Sequence, residues 1–267
     1  MNRLPSDFAA IPSVHSGAYN VSCLPRGYVL LINIEKYRFS PERHGSSLDE
    51  HRLQRMFEAF NYKVLVHRDL GASEFRHKIR EFASRKEHQF MDSTVVVILA
   101  HGLEGEIEAC DGEFLRLNED ILECFSAGNC EQLKGKPKLF IIQACRGKKT
   151  DGGKVFNSSE HQDLAVDASS STPKFQSSQP SFADFIIAYP TTYGYASWRI
   201  KDKGAPFIRK LVEVFRREAN TKHVEDMLKI VNDELSEGPV YQEYYQCSQI
   251  ESTLRKPFFL WTDDLKL

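Results

Sequence analysis

The chain has 267 residues, 41% of them hydrophobic and 27% charged, with a net charge of −2. That length supports one sizeable core or two small ones, and the near-neutral balance excludes nucleic acid or an anionic membrane as a bulk electrostatic partner. The longest fully apolar run, Val95 to Ala100, is too short to span a bilayer.

Met1 to Asn20 mixes Pro, Ser, His and charge without a continuous apolar stretch, so no secretory signal is expected. The six cysteines are Cys23, Cys110, Cys124, Cys130, Cys145 and Cys247, and no two form a C-x-x-C pair. No metal site or cofactor is expected from that spacing. Without a secretory signal, the cysteines read as free thiols in a reducing, cytoplasmic compartment.

Strands and helices alternate along the chain. Tyr28–Tyr37 opens as an apolar, β-branched run and predicts a buried strand. Ser46, Ser47, Asp49 and Glu50 supply a helix start with caps and first-turn acids. Leu48, Leu53, Met56, Phe57 and Phe60 then recur at helical spacing. Tyr62–Leu70 predicts a second strand, and Ser73–His88 a second helix pinned by Phe75, Ile79 and Phe82. Thr94–Ala100 and Leu139–Ala144 are near-continuous apolar runs, and Phe185–Tyr189 adds another. Such runs separated by helices predict a mostly parallel sheet covered on both faces. Two amphipathic helices, Pro206–Glu218 and His223–Leu235, precede a final apolar strand, Phe258–Trp261. Between them Lys148–Pro180 is rich in Ser, Lys, Gly and Gln. A stretch of that length and composition reads as a tolerated surface insertion or as a processing linker holding Asp151, Asp163 and Asp167.

In open α/β sheets, ligands bind beyond the carboxyl ends of the strands. Two buried strands run there into polar residues, one into Ala100-His101-Gly102 and the other into Gln143-Ala144-Cys145-Arg146-Gly147. A thiol at one end and an imidazole at the other suit nucleophilic attack on a carbonyl, with the imidazole moving the proton. The N–H groups of Gly102 and Cys145 are candidates to hold an oxyanion. A lone strand-end Cys is more often an inert buried thiol and a lone His a bonded core residue. Jointly, at neighbouring strand ends and flanked by glycines, they read as a site.

Gln143-Ala144-Cys145-Arg146-Gly147 resembles the Q-A-C-x-G signature of caspases, with the His about 50 residues upstream. Arg43-His44-Gly45-Ser46-Ser47-Leu48-Asp49 resembles the family's R-x-G-[ST]-x-x-D stretch. The strand ending in His101-Gly102 resembles its catalytic-histidine segment, and Tyr195-Ala196-Ser197-Trp198-Arg199 its Y-x-S-W-R segment. The resemblance covers about Tyr28 to Trp261. It implies an α/β caspase-like fold, a mostly parallel six-stranded sheet flanked by helices, and cleavage of protein substrates after aspartate at P1. It implies Cys145 as nucleophile with His101 and Gly102 as catalytic partners. Arg43, Gln143 and Arg199 would lie around the P1 carboxylate, and Ala196, Ser197 and Trp198 along the substrate groove. Two guanidiniums and an amide suit a planar carboxylate and disfavour a cationic P1 side chain. The carbonyl of Pro41 matches the group that orients the histidine.

The same resemblance divides the chain into an N-terminal segment, residues 1–26, a large-subunit part, 27–147, a processing linker, 148–181, and a small-subunit part, 182–267. Residues 1–26 are too short for a death-fold recruitment domain. Leu164-Ala165-Val166-Asp167 is the best candidate for linker cleavage, at Asp167. A homodimer through the C-terminal strand Phe258–Trp261 and inhibitor or adaptor proteins are further implied partners. The sequence departs from the family pattern at Ala100, Ala196, Ile200 and Pro206. Ala196 should widen the P2 subsite, while Ile200 and Pro206 should leave a roomier, more apolar P4 pocket. Rival readings are a caspase-like pseudoenzyme that binds active relatives, a related peptidase with basic P1 specificity, and a plain α/β binding module.

Overall fold

The computed structural model describes residues 17–150, 180–240 and 243–260. Six strands form one sheet. In chain order they are β1 (Gly27–Asn33), β2 (Tyr62–Arg68), β3 (Ser93–Leu99), β7 (Lys138–Gln143), β8 (Phe185–Tyr189) and β9 (Gln249–Ser252). Their spatial order is β2-β1-β3-β7-β8-β9. All neighbours pair parallel except β8 and β9. Three shorter strands, β4 (Gly102–Leu103), β5 (Glu106–Glu108) and β6 (Phe114–Arg116), make a separate antiparallel sheet directly after β3.

The unbroken apolar runs of β1, β3 and β7 arise because each strand faces helices on both sides. Val29, Leu31, Val95, Val97, Leu139 and Ile141 point to one layer, built from α1 (Ser46–Ala59), α3 (Pro206–Glu218) and α4 (Val224–Ser236). Leu30, Ile32, Val96, Ile98, Phe140 and Ile142 point to the other, built from α2 (Ala72–Ala83) and the short helical turns Leu117–Ile121 and Leu122–Phe125. Burial of each such side chain contributes about 1.5–3 kcal/mol.

Several boundaries differ from expectation for physical reasons. β1 ends at Asn33 rather than Tyr37, because the N–H groups of Glu35 and Lys36 both turn to Asp69 Oδ1, at 2.8 and 2.9 Å. α2 stops at Ala83, and a separate turn, Lys86–Phe90, follows. His88 in that turn is buried, with Nε2 2.8 Å from the Phe82 carbonyl.

The expectation that Phe258–Trp261 forms the last strand is wrong over its described part. Phe258, Phe259 and Leu260 lie outside any strand and are buried, and Trp261 lies outside the described residues. The Phe258 carbonyl instead accepts the N–H of Val224 at the start of α4, at 2.7 Å. The run is apolar because it fills this chain's own core. The sixth strand is β9, whose mixed sequence Gln-Ile-Glu-Ser carries no apolar run. All six cysteines are free thiols. No described helix is long and apolar enough to cross a membrane.

Candidate active site

Strands β3 and β7 set the site. Leu99 pairs with Gln143, and the Ala100 N–H donates to the Gln143 carbonyl at 3.1 Å. His101 and Cys145 therefore each follow that rung by two residues. Gly102 is packed so closely against the other strand end that a Cβ would sit 3.2 Å from the Cys145 carbonyl and 2.6 Å from that of Glu106. Only glycine permits this approach. The structure thus brings together the two strand ends that the sequence singled out.

His101 is held from two sides. Its backbone N–H donates to the Tyr37 hydroxyl at 2.7 Å, and the two rings lie 4.6 Å apart. Its Nε2 is 2.9 Å from the Pro41 carbonyl. A carbonyl only accepts, so Nε2 carries the proton and the neutral ring keeps Nδ1 as its free acceptor. Burial pushes the imidazole below its usual pKa; the Pro41 bond opposes this, and Arg43 and Arg199 add to it. Cys145 is half-buried. Its Sγ lies 3.4 Å from the N–H of Ser197, which donates to it, and 3.7 Å from the Ser197 carbonyl. The thiol therefore rests against the Tyr195–Arg199 segment.

The three residues expected around a P1 carboxylate converge here. Arg43 is 1% exposed and donates through Nη1 to the Ile34 carbonyl at 3.1 Å and to Asn33 Oδ1 at 3.5 Å. Burial brings its pKa down to about 10, and Arg199 pushes in the same direction. Arg199 is half-buried and donates from Nε to the His44 carbonyl at 3.0 Å. Burial lowers its pKa as well. Gln143 is 3% exposed; its amide nitrogen donates to Ser197 Oγ at 2.6 Å, while its Oε1 is buried without a partner among the described residues. Rotating the amide lets the Ser197 hydroxyl donate to Oε1 and turns both N–H groups toward the space Oε1 now faces.

The remaining candidates line the adjoining segment. Ala196 donates to the Lys149 carbonyl at 2.7 Å, and Trp198 stacks on Tyr244 with centroids 4.3 Å apart. Ile200 is half-buried. Pro206 is buried as the first residue of α3, a position its fixed φ favours. Asp151, Asp163 and Asp167 lie outside the described residues.

Two partners escaped the sequence reading. Tyr37 ends an apolar run whose pattern predicts strand, and nothing in that pattern marks a tyrosine as a histidine's acceptor. Arg146 donates to Gln249 Oε1 at 2.6 Å and to Glu251 Oε1 at 3.2 Å, and stacks over Tyr189 at 3.8 Å. It ties the cysteine loop to β9, a strand the sequence did not reveal. A cavity of about 250 Å³ opens beside Cys145 and Arg146, with Glu104, Glu106 and Glu251 in its wall.

A thiol and an imidazole at adjacent parallel strand ends, with the buried Arg43 and half-buried Arg199 close to the thiol, have the layout of a thiol peptidase domain. A family model described as "Caspase domain" matches residues 26–259. Caspase-2 of Gallus gallus is 32% identical over 91% of this chain, and the match covers 60% of that protein. Cell death protein 3 of Caenorhabditis remanei is 30% identical over 97% of this chain and 56% of its own length. Human caspase-14 is 32% identical over 82% of this chain and 88% of its own length. The crystal structure of caspase-1 from Spodoptera frugiperda superposes with a TM-score of 0.80 at 26% identity, covering both chains in full. The chain belongs to the caspase family. It spans somewhat over half the length of the first two of these relatives.

Proposed function

We propose that the protein is a cysteine endopeptidase that cleaves after aspartate in an apoptotic or related proteolytic cascade. The observation that carries the reading is the buried Arg43 and the half-buried Arg199 near the cysteine. Two partly desolvated guanidiniums favour a planar carboxylate, which returns charge-assisted hydrogen bonds. The rotated Gln143 amide adds two donors to that pocket. A lysine or arginine side chain there would bring a third cation into a desolvated site, which disfavours basic P1 specificity.

In the reaction Cys145 attacks the scissile carbonyl as thiolate, giving a tetrahedral oxyanion received by the N–H groups of Gly102 and Cys145. His101, held through Nε2 by Pro41, takes the thiol proton on Nδ1 and returns it to the leaving amine. Water then hydrolyses the acyl-enzyme. The Ser197 backbone now touching Cys145 Sγ belongs to the groove segment along which the substrate would lie with Ala196 and Trp198.

Cleavage after Asp167 separates residues 27–147 from 182–267 as the large and small parts. The two parts share one sheet through β7 and β8, so the cut would leave the fold joined. A second copy would pair along the free edge of β9, in place of the Phe258–Trp261 run. The cytoplasm is the compartment that suits free thiols. The test is hydrolysis of acetylated tetrapeptide amides under reducing conditions. The parent should cut after Asp and not after Lys, and Cys145→Ala should remove the activity. Inhibitory binding to an active relative with no turnover of its own would support the pseudoenzyme instead.

A further inference from the structure

We infer that Asp49 is the positioning residue of the aspartate pocket: its buried carboxylate locks the 199–206 turn onto the start of α1 and so fixes Arg199. The inference rests on the reading of the pocket as the P1 site.

Asp49 is 0% exposed. Its Oδ2 accepts the N–H of Ala205 at 2.8 Å, and its Oδ1 accepts from Arg52 Nη1 at 3.3 Å. The same Arg52 nitrogen donates to the Lys203 carbonyl at 2.7 Å, so one carboxylate and one guanidinium grip both sides of the turn. The turn closes on itself through Ile200 and Gly204, whose N–H groups and carbonyls exchange bonds at 3.0 and 2.8 Å. Gly204 has φ +80°, and a Cβ there would lie 2.1 Å from Asp49 Oδ1. Gly45 is pressed as closely from below, with a Cβ position 2.3 Å from the Lys201 carbonyl. Both glycines let the turn sit directly on residues 45–52. Arg199 enters this turn with its side chain already bound to the His44 carbonyl. Among the described residues, the hydrogen bonds that tie the segment to α1 and its entry come from His44, Asp49 and Arg52, and Asp49 is the buried anion among them.

That charge is held at a cost. Burial raises the carboxyl to about pKa 6, against the Ala205 bond and the fields of Arg43, Arg52 and Arg199, which draw it down. These three arginines and the Ala205 N–H are the groups that face it from α1, from the segment before α1, and from the turn. A charge the fold would sooner lose, kept where a substrate must be oriented, points to a role in the site. An asparagine at 49 can accept from only one of the two donors and turns its own N–H groups on the other.

The test compares parent, Asp49→Asn and Asp49→Ala on a peptide amide with Asp at P1, between pH 5.5 and 8, with hydrogen exchange read over 199–206. Both variants should raise KM, Asp49→Asn by about tenfold and Asp49→Ala by more, with kcat little changed. Exchange over the turn should quicken. Parent KM should climb below about pH 6 while that of Asp49→Asn stays flat; titration of His101 acts on kcat and leaves this contrast intact. Unchanged or lowered KM at neutral pH would overturn the inference, because a mere counter-ion would tighten carboxylate binding when removed. An inactive parent refutes the peptidase reading instead; unchanged exchange over the turn then refutes the anchoring by itself.

Discussion

Replacing Arg43 by lysine keeps a positive charge and removes the planar fork. Arg43 is buried, and both of its scaffold bonds leave from Nη1, to Ile34 and Asn33. Nε and Nη2 thus stay outside that scaffold, as two parallel donors for a carboxylate. A lysine reaching the same place offers one compact ammonium, which either satisfies the Ile34 carbonyl or meets the substrate. Losing one charge-assisted bond costs about 1.5–3 kcal/mol, a factor of roughly ten to a hundred. Arg43→Lys should therefore lower kcat/KM for P1 Asp by that factor, largely through KM. Discrimination against a P1 Asn peptide should shrink with it, because the fork pairs with both carboxylate oxygens. Steady-state hydrolysis of the Asp and Asn peptides, with melting temperature as a check on folding, reads both quantities. A folded Arg43→Lys protein with parental KM and parental Asp-to-Asn ratio would refute the placement of Arg43 in the pocket.

Other perturbations have equally defined outcomes. Tyr37→Phe removes the hydroxyl that accepts the His101 N–H; the orphaned donor costs about 1–3 kcal/mol, and kcat should fall several-fold while KM holds. Gly204→Ala forces a Cβ into left-handed backbone and against Asp49. It should destabilise by about 2 kcal/mol or more and lower the melting temperature by several degrees. His88 is buried and its pKa is pushed down to about 4, first by burial. The unfolded state takes up its proton near pH 6.5 and the folded state near 4, so its stabilisation is full above 6.5 and lost as pH falls toward 4. Over that window it amounts to about 3 kcal/mol, and chemical denaturation at pH 7 and pH 5 should show the decline, with His88→Phe flattening it. Asp167→Ala should block the appearance of two chains when active protein is incubated and resolved on a denaturing gel.

The central sheet was legible because β1, β3, β7 and β8 bury both faces and so print continuous apolar runs. α3 and α4 were legible for the opposite reason, since each buries a single stripe. β9 was not, because a strand with one neighbour among the described residues carries Gln, Glu and Ser. The apolar Phe258-Phe259-Leu260 run took its place in the reading, although it serves the core. The sheet of β4, β5 and β6 was missed for its strands of two or three residues. Of the site, Cys145, His101 and the two pocket arginines stood in motifs that resemble a family. Tyr37 and Arg52 act through distances that no local pattern encodes, and Asp49, though it closes the motif that begins at Arg43, shows its grip on Ala205 only in the fold. Asp49 reads as a first-turn helix acid, a role that in α1 is secondary to its grip on Ala205.

On this reading one of six free thiols is the nucleophile of an aspartate-directed site. Incubation with a peptidyl acyloxymethyl ketone ending in Asp, followed by intact and peptide mass spectrometry, tests it most directly. One adduct per chain is expected, on Cys145, absent from His101→Ala and absent when the probe ends in Lys. Labelling spread over Cys23, Cys110 or Cys247, or equal labelling by the Lys probe, would contradict it.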